Sequence, residues 1–302
     1  MTAGISFPKF ASAERIIDTI LYAERILRNS RITDTPRLDA EVLLADVLGI
    51  GRAKLAASYL DQLNEPARSE YLSRVSRRLR GEPVSYIIGK KEFMGFVFHV
   101  DRRALIPRPE TETLVERVLE MAKEGKCGSG TILDVGTGSG CIAISLALFL
   151  SHARIYATDI SADAVELAGH NARLHRVHDR TTFLVGPVYS PLQDALRGSF
   201  DLIVSNPPYV SDAEFPNLDR GIADFEPAEA LKGGPDGMEV FRQLAAGAPD
   251  YLTQNGVLAV EIGGAQAEPA SKIIRGTGVL SVEEIVRDLA GKPRVIIGWR
   301  HT

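Results

Sequence analysis

The second part of the chain alternates short apolar segments with longer stretches of helical spacing. We predict the apolar segments as strands, and they span 131–135, 154–159, 181–185, 200–205, 256–262, 279–287 and 294–299. Strands that alternate with helices form a mostly parallel sheet wrapped by those helices. The sequence therefore predicts an α/β fold, with antiparallel strands at the end of the sheet.

The first part of the chain carries a different pattern. From Ala11 to about Arg80 the apolar residues recur at helical spacing, which predicts several short helices. After Pro83 the apolar residues alternate around Gly95, which predicts a β-hairpin that ends at Ile106. We therefore divide the chain into a helical domain (1–84), a hairpin linker (85–107) and an α/β domain (108–302).

Charge and cysteine content limit the partners and the compartment. Among the 302 residues the formal net charge is −4, and it divides into +4 for residues 1–107 and −8 for the remainder. This is far less basic than an autonomous nucleic-acid binder. Two cysteines without a CxxC pair fit a reducing cytosol and no structural zinc. We expect a cytoplasmic protein that binds no metal and no specific nucleic-acid sequence.

Membrane and secretory signals are not expected. The longest nearly apolar stretch, 141–150, is shorter than the roughly 18 to 20 residues that span a bilayer. The first fifteen residues lack a basic start followed by an apolar run, so they do not resemble a secretory signal. The sequence therefore predicts no membrane partner.

A glycine-rich turn follows the first strand of the α/β part. Segment 131–135 runs into Gly136-Thr137-Gly138-Ser139-Gly140 and then into an apolar helix. Ligands of open α/β sheets bind at this edge, outside the carboxyl ends of the strands. The spacing is GxGxG, and Cys141 stands where a dinucleotide fingerprint would have its third glycine. A nicotinamide-dependent dehydrogenase therefore fits this turn poorly.

The next predicted strand ends in a carboxylate, Asp159, 19 positions after Gly140. A carboxylate at this place can accept hydrogen bonds from both hydroxyls of a ribose. Any nucleoside-bearing cofactor would suit it. The structural alternative is that Asp159, two residues before Ser161, supports the start of a helix.

The most informative segment is Asn206-Pro207-Pro208-Tyr209, which follows strand 200–205. Two prolines remove two backbone donors and leave two acceptors, the Asn206 side-chain oxygen and the Pro207 carbonyl. Such a pair binds an NH2 group, and the Tyr209 ring can lie against a planar amide or base. Hydrogen bonds accepted from a planar nitrogen can aim its delocalised lone pair at an electrophilic methyl group. A rigid turn without chemistry is the alternative.

Seven segments together resemble the HemK family of class I methyltransferases, which use S-adenosylmethionine to methylate the side-chain amide nitrogen of glutamine. They are RLDAEVLL (37–44), GEPVSYIIGKKEFMGFVF (81–98), LIPRPETETLVE (105–116), DVGTGSGCIAISLA (134–147), NPPY (206–209), EPAEALKGGPDGM (226–238) and EIGGAQ (261–266). The resemblance covers nearly the whole chain. It implies a Rossmann-like class I methyltransferase domain, a small N-terminal helical domain that docks the substrate, and a β-hairpin linker.

The resemblance also implies roles for the residues named above. Asp159 would hold the cofactor ribose, and Asn206 would contact both the cofactor and the substrate. The catalytic residues would be Asn206, Pro207 and Tyr209, with Pro208 completing the grip on the substrate amide. The residues that line the methionine part of S-adenosylmethionine would be Gly136, Thr137, Gly138, Ser139 and Gly140.

The segment PRPETE (107–112) resembles one branch of that family. This branch acts on the glutamine of the Gly-Gly-Gln tip of class-one peptide chain release factors, which implies such a factor as the protein partner. Within the segment, Arg108, Glu110, Thr111 and Glu112 would either help to build the pocket or start and cap the following helix.

One segment departs from the family pattern. After strand 181–185 the family usually carries an acid and an aromatic residue beside the adenine, but this chain has Pro187 and Val188. The Pro187 side chain cannot accept a hydrogen bond, and Val188, the residue we expect at the adenine, offers less stacking area. Backbone carbonyls could replace the lost acceptor. We expect retained activity with weaker adenine contacts.

Two other functions fit some of these residues. Methyltransferases that act on the N6 amino group of adenine in nucleic acids also carry NPPY, and the flipped base stacks on its aromatic residue. Such an enzyme needs a basic surface, whereas residues 108–302 carry −8. The second alternative is a non-catalytic protein that binds the translation apparatus, but an amide grip would have no use there.

Overall fold

A computed structural model describes residues 15–127 and 130–301. The predicted helix start at Ala11 and the leader interpretation of the first residues lie outside this range. The chain divides into two compact units. The first comprises the residues up to Gly89 together with Arg220–Phe225, and the second comprises Lys90–Asp219 and the residues from Glu226 onward. The three-part division into 1–84, 85–107 and 108–302 stays a prediction.

Helices form most of the first unit and surround the sheet of the second. None of those in the described ranges is both long and apolar enough to cross a membrane. Their bounds are α1 (Ile16–Ser30), α2 (Pro36–Val47), α3 (Arg52–Ala57), α4 (Glu65–Leu79), α5 (Val84–Ile88), α6 (Pro109–Lys123), α7 (Cys141–Phe149), α8 (Ala162–Leu174), α9 (Arg220–Ala223), α10 (Glu239–Tyr251) and α11 (Ala267–Gly276).

The first unit is a helical bundle with its own core. The apolar stripes of α1, α2 and α4 meet around Tyr71, whose hydroxyl donates to the Ala40 carbonyl at 3.1 Å. Arginines of α4 form ion pairs with acids of the same unit. Arg77 contacts Glu82 at 2.7 Å. Arg78 also contacts Asp39 at 2.7 Å. Much of the positive charge of this helix is therefore neutralised locally.

The hairpin is shorter than predicted. Its strands are β1 (Lys90–Phe93) and β2 (Phe96–His99), paired antiparallel. The expectation that it ends at Ile106 is wrong, because residues 100–108 are irregular. The Ile106 amide donates instead to a carboxylate oxygen of Glu226 at 3.1 Å. Val100, Ala104 and Ile106 in this segment are buried, although the segment has no strand partner.

The second unit contains a seven-stranded sheet in the order β5-β4-β3-β6-β7-β9-β8. The five strands β5, β4, β3, β6 and β7 are parallel to one another. β9 is antiparallel to β7, and β8 is antiparallel to β9, which confirms the predicted α/β fold. The strands are β3 (Thr131–Val135), β4 (Arg154–Asp159), β5 (Thr181–Val185), β6 (Phe200–Ser205), β7 (Leu252–Glu261), β8 (Leu280–Arg287) and β9 (Pro293–Arg300).

Both faces of the sheet are buried, so its central strands are apolar on successive positions. In β7, Val257 and Ala259 join the core under α6 and α7, whereas Leu258 and Val260 join the core under α10 and α11. This alternation sets which face the residue at the end of each strand points to. It therefore determines which helix each site residue can reach.

Candidate active site

The glycine turn and the NPPY segment lie side by side where the strand order reverses. The next two strands in sequence, β4 and β5, lie on one side of β3, and β6 lies on the other side. β3 and β6 pair with Val135 opposite Ser205. The Ser205 hydroxyl donates to the Val135 carbonyl at 2.6 Å. The next residues, Gly136 and Asn206, therefore leave the sheet at the same point, which is where ligands of doubly wound sheets bind.

A buried carboxylate supports the glycine turn. Asp134 is fully buried, and its Oδ2 accepts from the Thr137 hydroxyl at 2.7 Å and from the Ala143 amide at 3.3 Å. Burial raises the pKa of Asp134 to about 7, although the Thr137 hydroxyl and the Ala143 amide oppose this. Its Oδ1 has no hydrogen-bond partner among the described residues. The turn is thus held from beneath by side chains that face the interior.

The turn presents backbone to any ligand. The side chains of Thr137 and Ser139 are buried, so these residues offer mainly peptide groups. A Cβ on Gly136 would meet no atom within 4 Å, which means that open space lies beside this residue. The combination of an open backbone and an orphaned buried oxygen on Asp134 fits the glycine turn to a polar cofactor.

Gly140 is required by packing, and its predicted contact with the cofactor stays a prediction. Its φ is 81°, and a Cβ there would lie 2.9 Å from Ile144 Cδ1 and 3.1 Å from Ala168 Cβ.

We expect Gly140→Ala to lower the free energy of unfolding by about 2 to 3 kcal/mol, through backbone strain and overpacking together. Gly291→Ala, with φ 75° and no atom within 4 Å, should cost only about 1 kcal/mol. Urea denaturation compares the two, and equal losses would contradict the packing argument.

Asp159 ends β4 and reaches the glycine turn. One carboxylate oxygen accepts from the Gly138 amide at 2.8 Å, and the other accepts from the Ser161 amide at 2.9 Å. Burial raises its pKa, and the backbone hydrogen bonds oppose this. The Ser161 bond matches the helix-start role considered above, and each oxygen retains further acceptor capacity for a ribose. The ribose role therefore stays a prediction.

The segment after β5 borders Asp159, because the Gly186 amide donates to the Asp159 carbonyl at 2.8 Å. Val188 has φ 46°, a strained conformation for a β-branched residue, and its carbonyl accepts from the Thr158 hydroxyl at 2.9 Å. Tyr189 turns inward and stacks on Tyr251 with 4.7 Å between ring centroids. The aromatic ring after Val188 is therefore committed to the core, and contact of Val188 with adenine stays a prediction.

The Asn206 side chain has a defined orientation. Its Nδ2 donates to the Thr111 hydroxyl of α6 at 3.0 Å. No described residue donates to its Oδ1, which leaves this acceptor available beside the glycine turn. Pro207 is buried, and Pro208 and Tyr209 are partly buried. The structure thus places the predicted acceptor turn next to the predicted cofactor edge.

Two later segments hold the NPPY backbone in place. The Gln266 side chain donates to the Tyr209 carbonyl at 3.0 Å and to the Gly237 carbonyl at 3.2 Å. A Cβ on Gly237, whose φ is 74°, would lie 2.3 Å from the Tyr209 oxygen. Only glycine allows this approach, so the GGPDG loop packs backbone against backbone on the turn.

Three polar residues of the site, Gln266, Glu261 and Glu226, were not predicted as site residues from the sequence. Gln266 holds the Tyr209 and Gly237 carbonyls. Glu261 ends β7 beside Asn206, and Glu226 accepts from Arg108 at 2.5 Å and from the Ile106 amide. Their segments, EIGGAQ and EPAEAL, were part of the family resemblance, and that was the only signal for them in the sequence.

The strand order and the ligand edge define the class. The sheet is that of a class I methyltransferase, with the glycine turn and NPPY at its switch point. A methyltransferase of Pyrococcus furiosus has the same fold, with a TM-score of 0.52, 19% sequence identity, and coverage of 76% of this chain and 99% of that one. The chain therefore shares the fold of that methyltransferase.

Sequence comparison narrows the class to a family. Residues 18–89 match the PrmC N-terminal domain, and residues 110–221 match the methyltransferase small domain. The release factor glutamine methyltransferase of Moorella thermoacetica is 40% identical over 88% of this chain and 92% of that protein. The enzyme of the same description from Chlorobaculum tepidum is 45% identical over 76% and 79%. The chain belongs to the release factor glutamine methyltransferase family.

Proposed function

We propose that this protein transfers a methyl group from S-adenosylmethionine to the side-chain amide nitrogen of the glutamine in the Gly-Gly-Gln motif of class-one peptide chain release factors. Family membership supports this substrate. The observation that carries the chemistry is the Asn206–Thr111 hydrogen bond, because it directs the Asn206 oxygen away from α6 and leaves it free as an acceptor. The proposal places the protein in the cytoplasm with its substrate.

The residues at the switch point fit the proposed cofactor. Gly136–Gly140 would face its methionine part with backbone groups, Asp159 would accept from the ribose hydroxyls, and Val188 would flank the adenine. When bound there, S-adenosylmethionine supplies an electrophilic methyl group. The weaker adenine contacts expected for the sequence at 186–188 stay part of the proposal.

The substrate amide is gripped by neutral acceptors. Asn206 Oδ1 and the Pro207 carbonyl would each accept one proton of the glutamine NH2, and the Tyr209 ring would flank the amide plane. Two such hydrogen bonds favour a pyramidal nitrogen with its lone pair aimed at the methyl donor. Burial raises the pKa of Tyr209, which keeps its phenol neutral and prevents a competing charge.

A methylation assay tests the proposal. Purified protein, S-adenosylmethionine and a release factor are incubated together, and mass spectrometry follows the peptide that contains the Gly-Gly-Gln glutamine. We expect a mass increase of one methyl group on that glutamine. The same assay on duplex DNA should give no product. Methylated adenine without methylated release factor would overturn the proposal in favour of a nucleic-acid methyltransferase.

A further inference from the structure

Glu261 is a buried acid for which the proposed reaction has so far provided no role. It is the last residue of β7, it is 1% exposed, and neither carboxylate oxygen has a hydrogen-bond partner among the described residues. A buried, unpartnered carboxyl costs free energy unless its surroundings or a ligand compensate it. Its presence at the end of a strand that borders the site therefore calls for a reason.

The strand register brings Glu261 to the same helix as Asn206. Val260 pairs with Ser205, so Glu261 and Asn206 follow at equivalent positions and point to the same face of the sheet. That face is covered by α6, whose first turn carries Thr111. The Thr111 hydroxyl lowers the pKa of Glu261, although it does not form a hydrogen bond of normal geometry with it. Thr111 thus lies between the two side chains.

The protons of these groups can be assigned from their hydrogen-bonding capacity. The Thr111 hydroxyl accepts the Asn206 Nδ2–H, and its own single proton remains to be donated. The Glu261 carboxylate is a nearby acceptor for that proton. An amide has nearly the same shape when its oxygen and nitrogen are exchanged, so only its partners decide which atom faces a ligand.

We propose that the Glu261 carboxylate is a positioning residue that acts through Thr111 to hold Asn206 with its oxygen toward the substrate amide. Glu261 accepts from Thr111, Thr111 accepts from Asn206, and the Asn206 oxygen is left to accept from the glutamine NH2. This inference rests on the proposed function, because it explains how the acceptor of that reaction is oriented.

The charge state of Glu261 decides in which direction the hydrogen bonds between Glu261, Thr111 and Asn206 run. Burial raises its pKa to about 7, while the Thr111 hydroxyl and the cations Arg294 and Arg108 lower it and Glu110 raises it. Other titratable groups that interact with it are Tyr209 and the Cys141 thiol, and burial raises the pKa of both.

Protonation would weaken the orientation. A protonated Glu261 can donate to Thr111, and the Thr111 hydroxyl can then donate to the side chain of Asn206. The Asn206 amide is then free to turn its nitrogen toward the substrate NH2, where two donors face each other. Activity should therefore be lost as the pH falls through the pKa of Glu261.

The test is the pH dependence of kcat and KM for a release factor substrate between pH 5.5 and 8.5. For the wild-type protein we expect kcat to rise with a midpoint near the Glu261 pKa. Glu261→Gln should lower kcat at pH 8 by about tenfold or more. It should also remove the acidic limb of the profile, which is the fall in kcat toward low pH. The dissociation constant of S-adenosylmethionine should change less than about twofold, because the hydrogen bonds that hold the glycine turn come from Asp134 and Asp159 and not from Glu261.

Variants of the intermediate hydroxyl separate positioning from packing. Thr111→Val should lose the acidic limb and a similar factor in kcat, and Thr111→Ser should restore both. Thr181→Val is the matched control. Thr181 is a buried threonine at the start of β5, the end away from the candidate site, and it donates to the Val177 carbonyl. This variant should keep the acidic limb of the wild-type protein.

A stability measurement shows whether Glu261 titrates as required. Its pKa is raised on folding, so the folded protein keeps a proton that the unfolded chain releases between about pH 4.3 and the folded pKa. The urea midpoint of the wild-type should therefore fall more between pH 5 and pH 8 than that of Glu261→Gln. The same measurement verifies that each variant is folded at the assay pH.

The outcomes are separable. A Glu261→Gln variant with wild-type kcat and an intact acidic limb would overturn the positioning role while leaving the proposed function in place. An acidic limb that survives in Thr111→Val would also overturn it. Absence of release factor methylation by the wild-type protein would overturn the proposed function itself, together with the role of Glu261 in it.

Discussion

Asn206→Ala is expected to lower the turnover of glutamine methylation by about 100- to 1000-fold, the effect typical of removing one preorganised hydrogen-bonding group from a reaction centre. The substitution removes the Oδ1 acceptor and leaves only the Pro207 carbonyl to orient the substrate amide. It also breaks the 3.0 Å bond to Thr111. Steady-state kinetics with saturating S-adenosylmethionine measures the loss in kcat.

The control for this variant separates the amide grip from cofactor binding. Calorimetric titration should give Asn206→Ala a dissociation constant for S-adenosylmethionine close to that of the wild-type, because the glycine turn and Asp159 are held by other contacts. Asn217→Ala removes the same group from an exposed 3-10 turn and should keep normal kinetics. Near wild-type methylation by Asn206→Ala would show that the amide grip is not the source of catalysis.

The architecture of the α/β part could be predicted because its strands are buried on both faces. Such strands appear as short apolar runs, and the helices between them require parallel pairing. Their boundaries were less accurate. β7 begins at Leu252 and not at Gly256, because Leu252 pairs with Phe200 across an irregular register. The intervening Asn255 has φ 64°, and the local sequence therefore has the composition of a turn.

The end of the hairpin was mispredicted for a related reason. Val100, Ala104 and Ile106 are buried, so they resemble strand residues in the sequence. Their backbone is irregular, and Ile106 bonds to the side chain of Glu226. Apolar periodicity reports burial, and it cannot distinguish a paired strand from a loop that packs on the core.

The parts of the site that follow directly from strand ends could be predicted, and the parts that join distant segments could not. The glycine turn, Asp159 and Asn206 each come at the end of a parallel strand, so the topology brings them to one edge. The Thr111–Asn206 bond joins residues 95 positions apart, and the Arg108–Glu226 bond joins residues 118 positions apart. No periodicity in the sequence encodes such pairings.

The Glu226 carboxylate is expected to be the side chain whose loss most destabilises this part of the second unit. Its side chain is 1% exposed, and it accepts from Arg108 at 2.5 Å and from the buried Ile106 amide at 3.1 Å. Glu226→Ala leaves an N–H group without an acceptor and a partly buried cation without its partner. Removing one member of a buried pair costs about 3 to 5 kcal/mol, and the partial exposure of Arg108 places this case near 3.

Urea denaturation followed through the fluorescence of Trp299 reports on this unit, since Trp299 is the only tryptophan of the chain and lies in β9. Glu226→Gln keeps an acceptor for the Ile106 amide and should lose only about 1 to 2 kcal/mol. Glu229→Ala, at an exposed acid three residues away, should stay within about 0.5 kcal/mol of the wild-type.

The same bond is expected to support catalysis. Residues 106–108 lead directly into α6, and α6 carries the Thr111 hydroxyl that orients Asn206. In Glu226→Gln the start of α6 is held less firmly, so kcat should fall while the protein remains folded. A Glu226→Ala variant that loses less than about 1 kcal/mol would mean that water replaces the carboxylate without cost. In that case the position of Thr111 would depend on the packing of α6 against the sheet and not on the Arg108–Glu226 pair.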